Sequence, residues 1–149
     1  MYKHLLVPTD GSPLSLKAAK AAAALAKALK ADLTAVYITP RWMPPVGSEG
    51  SMPSHLGELE SDYRAARKKE AAKALERVGA VAAEARVECE QLHVTSEEPW
   101  DGIIRTATRR KCDLIVMASH GRRGLAGLLI GSETHKVLTH SKIPVLVCR

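Results

Sequence analysis

Three short runs, LLVP at 5–8, DLIVMA at 113–118 and IPVLVC at 143–148, are almost unbroken apolar sequence bounded by polar or turn-forming residues. A strand with one wet face alternates apolar and polar residues, so continuous runs of this length demand a sheet covered on both faces. The segments between them carry the cover. Leu16, Ala19, Ala23, Ala26 and Leu29 recur at three- and four-residue spacing within Pro13 to Lys30, with Ser12 placed to cap that helix and Pro13 in its first turn.

The same reading continues along the chain. LTAVYIT, from Leu33 to Thr39, is β-branched and strand-like, and Leu56 to Arg86 is helical through Leu59, Tyr63, Ala66, Leu75, Val78 and Ala82, with Gly79 a weak point. A strand over Val87 to Val94 alternates and suits a sheet edge. A helix over about Pro99 to Lys111, a strand over Asp113 to Ala118, a helix over about Ser132 to His140 and a strand over Ile143 to Cys148 complete the series. Strands joined by helices make a parallel sheet, because parallel neighbours need crossover connections. The expectation is a doubly wound α/β fold in one domain spanning residues 1–149. The stretch from Pro40 to Gly57 is too rich in Pro, Gly and Ser for a regular element, and its Trp42 reads as cover for the edge of the core rather than a lid.

Hydrophobic content of 46% with 26% charged residues excludes a disordered chain. There is no signal-peptide pattern and no apolar run long enough to span a bilayer, so the expected location is the cytoplasm. Cys89, Cys112 and Cys148 are scattered and odd in number, so they read as reduced packing residues rather than a disulfide framework or a zinc site. His135 and His140 are five apart and do not share a helical face, so no metal is assigned to histidine. The net charge of +6 suits a polyanion, while aromatic content of 3% leaves little for stacking on single-stranded nucleic acid, so a small phosphorylated ligand is favoured.

Ligands of doubly wound sheets settle beyond the carboxyl ends of strands. Two such ends fit: Thr9-Asp10-Gly11-Ser12, and the glycine-rich MASHGRRGLAGLLIGSETHK from Met117 to Lys136. Gly121 and Gly124 are expected to allow unusual backbone conformations and close approaches that free N–H groups for phosphate oxygens. Gly131-Ser132 opens a helix whose dipole favours an anion. Arg122 and Arg123 add charge, and Ser119, Ser132 and Thr134 add hydroxyls. Asp10 suits either a cap on the first helix or a ligand contact, and Gly127 reads as a packing glycine. The loop is neither a Walker loop nor a dinucleotide fingerprint.

On these residues the whole chain resembles the universal stress protein family. The nucleotide-binding members carry G-x2-G-x9-G-[ST], which aligns here on Ala118, Gly121, Gly131 and Ser132, with Ala118 standing where the first glycine is expected; VPTDGS and KIPVLVCR also match. The resemblance implies strand order 3-2-1-4-5, an adenine nucleotide (ATP or AMP) as a regulatory ligand, Mg accompanying its phosphates, and a homodimer paired through the last strand at Pro144 to Cys148. It places Pro8, Thr9, Asp10 and Ile38 around the adenosine and Met117 near the base. Ala118, Ser119, His120, Gly121, Arg122, Arg123 and Gly124, with Ser132, Glu133 and Thr134 after Gly131, fall to the phosphates. The rival readings are a slow ATP hydrolase of the same fold group, a basic nucleic-acid-binding domain, and a receiver or flavin domain. No base, nucleophile and ion constellation specifies the first, membrane binding is not expected, and a receiver needs more carboxylates at the first strand end than Asp10.

Overall fold

A computed structural model describes residues 1–46, 54–122, 124 and 129–149. The elements are β1 (His4–Pro8), α1 (Pro13–Leu29), β2 (Asp32–Pro40), α2 (Leu56–Ala85), β3 (Cys89–Ser96), α3 (Pro99–Arg109), β4 (Leu114–Ala118), α4 (Ser132–His140) and β5 (Val145–Cys148). The strands form one five-stranded parallel sheet in the order β3-β2-β1-β4-β5, as the family resemblance implies.

Strand alternation divides the core in two. Leu5, Val7, Leu33, Ala35, Tyr37, Leu114 and Val116 face α1 and α2. Leu6, Val36, Ile115 and Met117 face α3 and α4. Both sides of the central strands are therefore apolar, which is why their sequence does not alternate. β3 lies at an edge, where its burial alternates as its sequence does.

Helix α1 begins as expected: the Ser12 hydroxyl accepts from Ser15 N at 3.1 Å and Pro13 occupies the first turn. Its buried face is Ser15, Ala18, Ala19, Ala22, Ala23 and Ala26, rotated away from the expected stripe, because small residues let the helix lie close on the sheet and leave Leu16 and Leu29 half-buried at its margins. Helix α2 runs through Gly79 without a break. A Cβ there would strike the Gln91 amide of β3, so the glycine serves close packing. Only the second half of α2, from Ala71 to Ala82, enters the core, and Ala66 is exposed.

Strand β4 starts one residue later than its sequence suggests, at Leu114, and two other strands start two residues later. Arg86 closes α2 in the left-handed conformation (φ 61°), and Val87 N still bonds to Ala82 O at 2.9 Å, so β3 begins two residues on at Cys89. Ser141 Oγ accepts from Ile143 N at 3.0 Å in a local turn that delays β5 to Val145. No helix among the described residues is long and apolar enough to cross a membrane.

Candidate functional site

The chain leaves β1 and β4 on opposite faces of the sheet: α1 packs on one side and α4 on the other. The carboxyl ends of these neighbours therefore bound a crevice.

On the β1 side, Thr9 extends the ladder by donating its N–H to Val36 O at 2.9 Å, and its hydroxyl lies 3.1 Å from that of Ser15 and accepts from Gly11 N at 3.2 Å. Gly11 has φ +80°, the one left-handed glycine among the described residues, and it turns the strand into the helix. Asp10 does not cap α1; Ser12 does. The Asp10 carboxylate instead accepts from Ser12 N at 2.9 Å and, across the crevice, from Arg122 N at 2.8 Å. Burial opposes its ionisation, but the Ser12 hydroxyl and the N–H groups of Ser12 and Arg122 outweigh burial and hold its carboxyl below the ordinary value.

On the β4 side, Met117, Ala118 and Ser119 are buried, and the loop is pinned at its base by Ser119 N donating to Cys148 O and Gly131 N to Ser119 O, each at 2.7 Å. Thr134 Oγ1 donates to Ala118 O at 2.9 Å, so this hydroxyl fixes α4 to the strand. His120 turns its Nδ1 toward Ser119 Oγ at 3.0 Å.

The glycines work differently from expectation. Gly121, Gly124 and Gly131 have no left-handed φ; what each avoids is a collision. A Cβ on Gly121 would meet the Asp10 carboxylate and one on Gly124 the His120 ring, while at Gly131 it would lie 3.0 Å from His120 Cβ and 3.1 Å from His120 Cα. Nor are all their N–H groups free, since Gly124 N bonds to Gly121 O at 3.1 Å and Gly131 N to Ser119 O. The N–H groups left without a side-chain cap are instead those of the first turn of α4.

Pro8 stands at the end of β1 and Ile38 is half-buried in β2, its Cδ1 close against Gly102 of α3. Ser132 opens α4. Glu133 points elsewhere: its Oε2 accepts from Trp100 N at 2.9 Å and so caps α3, while Lys136 approaches its Oε1 at 3.6 Å. Arg122 also turns away from α4. Its guanidinium donates to Tyr37 Oη at 2.6 Å and lies 3.7 Å from Glu70 on the α1–α2 face. Arg123 and Gly127 lie outside the described residues.

Sequence reading missed Tyr37 and Glu70. Tyr37 is 4% exposed, its hydroxyl donates to Glu70 at 3.4 Å, and burial raises its pKa despite the Arg122 charge. Glu70 is held in turn by Arg67 at 2.8 Å. A hydroxyl-bearing aromatic at an otherwise apolar strand position was the available signal. No group of three or more metal-ligating side chains comes together among the described residues.

The fold is that of a doubly wound α/β protein, with a crevice at the point where its strand order reverses, the place where ligands of such sheets settle. A family model for the universal stress proteins matches residues 1–149, and the chain belongs to the universal stress protein family. The universal stress protein MJ0531 of Methanocaldococcus jannaschii is 37% identical, over 100% of this chain and 83% of its own. Among solved structures, the hypothetical protein MJ0577 superposes with a TM-score of 0.80 at 26% identity, covering 99% of this chain and 96% of that one. A universal stress protein crystallised in complex with cAMP superposes with a TM-score of 0.72 at 28% identity, covering 99% and 97%.

Proposed function

We propose that the chain binds an adenine nucleotide, ATP or AMP, as a regulatory ligand in the crevice between β1 and β4. The observation that carries this reading is the uncapped first turn of α4 facing a loop whose glycines exclude Cβ atoms from the crevice. Such a helix terminus favours an anion by about 0.3–1 kcal/mol before any hydrogen bond is counted. The similar protein in complex with cAMP supports the choice of an adenine ligand. Thr9, Asp10 and Ile38 meet the adenosine in this reading, and the α4 N-terminus with Ser132 meets the phosphates. Mg, where present, arrives with the phosphates.

Binding rather than turnover is the function. A carboxylate held below its ordinary pKa by hydrogen-bond donors from Ser12, Arg122 and Ser15 is a weak general base, which counts against Asp10 activating water. We further propose a cytoplasmic homodimer paired through the β5 edge, where Leu146 is 43% exposed. Calorimetric titration of AMP and ATP into nucleotide-stripped protein tests the reading. Micromolar binding that is lost in Gly131→Val supports it, and no binding at millimolar nucleotide refutes it.

A further inference from the structure

On the α1–α2 face, away from the N-terminus of α4, a cleft of about 190 Å3 opens between Gly11, α2 and Arg122. Its α2 wall is Glu70, Lys73, Ala74 and Arg77, residues at three- and four-residue spacing that share one side of the helix. Ala74 keeps the wall low: its Cβ lies 3.5 Å from the position a Cβ on Gly11 would take.

The charges in this cleft are not balanced. Glu70 is engaged by Arg67 at 2.8 Å and Arg122 at 3.7 Å, and Asp10 by the N–H groups of Ser12 and Arg122. Lys73 and Arg77 have no carboxylate within ion-pair distance among the described residues. Arg77 is nonetheless oriented, because its Nη1 donates to Gly11 O at 3.2 Å, and a guanidinium held by one donor keeps others for a ligand. The space holds about six waters at about 30 Å3 each, and it falls below the roughly 300–1,000 Å3 of pockets that enclose whole small molecules. It has room for a phosphoryl group.

We propose that this cleft is a second anion site, taking a phosphoryl group between Lys73 and Arg77. The group comes either from a free pyrophosphate-like anion or from the terminal phosphate of a nucleotide held in the neighbouring crevice. Inorganic pyrophosphate, AMP and ATP are titrated calorimetrically into the wild type, into Lys73→Ala/Arg77→Ala, and into Lys68→Ala/Lys69→Ala, which removes the same charge from exposed α2 positions outside the cleft. Both pairs are exposed, so the variants fold, and thermal melts verify it.

The expected result is pyrophosphate affinity reduced about tenfold or more in the cleft variant alone, with AMP unchanged. A parallel fall for ATP identifies the nucleotide's terminal phosphate as the source, and unchanged ATP identifies a free anion. Three results overturn the proposal: no pyrophosphate binding to the wild type, equal loss in the Lys68/Lys69 control, or AMP weakening in step with pyrophosphate. Loss of AMP binding in the wild type with pyrophosphate retained at the cleft would refute the nucleotide reading and leave this one standing.

Discussion

Substituting Gly131 by alanine probes the loop where an added methyl meets backbone. The backbone there has φ −71° and ψ 160°, values any residue adopts, so the effect is one of space alone. The added methyl would lie 3.0 Å from His120 Cβ, 3.1 Å from His120 Cα and 3.4 Å from Ser119 O. Two of these neighbours are backbone in the segment that the Gly131 N to Ser119 O bond pins, so neither can swing aside. Overpacking of this kind costs about 1–3 kcal/mol. If the whole penalty falls on the loop geometry that the ligand needs, AMP affinity drops by about 5- to 150-fold. Gly124→Ala is the internal control, because its methyl meets the far end of the His120 side chain, which can rotate. Titration calorimetry of AMP on both variants decides the matter. A Gly131→Ala protein binding as tightly as the wild type, or a larger loss in Gly124→Ala, would refute the packing argument.

Glu133→Ala removes the acceptor at Trp100 N and should lower stability by about 1 kcal/mol while leaving AMP affinity unchanged; weakened binding at undiminished stability would put this carboxylate in the site. Asp10 has a depressed folded pKa, so its stabilising contribution is present above the unfolded carboxylate value of about 4 and is lost as pH falls through the folded value. Denaturant melts of the wild type and Asp10→Asn should therefore differ at neutral pH and converge in acid, and a gap that widens in acid would contradict the assignment. Burial, with Asp113 and Glu90 nearby, pushes the Cys112 thiol up to about 12, so alkylation of native protein at pH near 8 should reach Cys112 last; early labelling there would argue against its burial.

Most of the framework is legible in local sequence, for physical reasons that also explain the exceptions. Buried strands such as Leu114–Ala118 advertise themselves because both faces are apolar, and α1 is bracketed by Ser12 and Pro13. The start of β3 is less visible, since Val87 is as apolar as a strand residue yet completes the end of α2. The first half of α2 misleads because Leu59, Tyr63 and Ala66 have helical spacing without a sheet beneath them; Tyr63 instead donates its hydroxyl to Pro40 O at 2.9 Å.

At the site, the positions of Thr9, Asp10 and the β4 loop follow from strand ends, but side-chain direction does not. Arg122 finds Tyr37 across 85 residues of chain, and Glu133 finds Trp100 across 33, pairings that no local pattern encodes. The glycines were legible as glycines that matter, while the reason, collision with Asp10 and His120 rather than left-handed backbone, required the packed loop.

An adenine nucleotide bound in the proposed crevice would lie between the ends of β1 and β4. Amide resonances of isotopically labelled, nucleotide-stripped protein followed through an AMP titration test it residue by residue. A nucleotide bound there produces saturable shifts at Thr9, Asp10, Gly121, Ser132 and Thr134, with Lys30 and Arg86 at the opposite end of the sheet unmoved. Shifts confined to that opposite end, or none at saturating AMP, would contradict it.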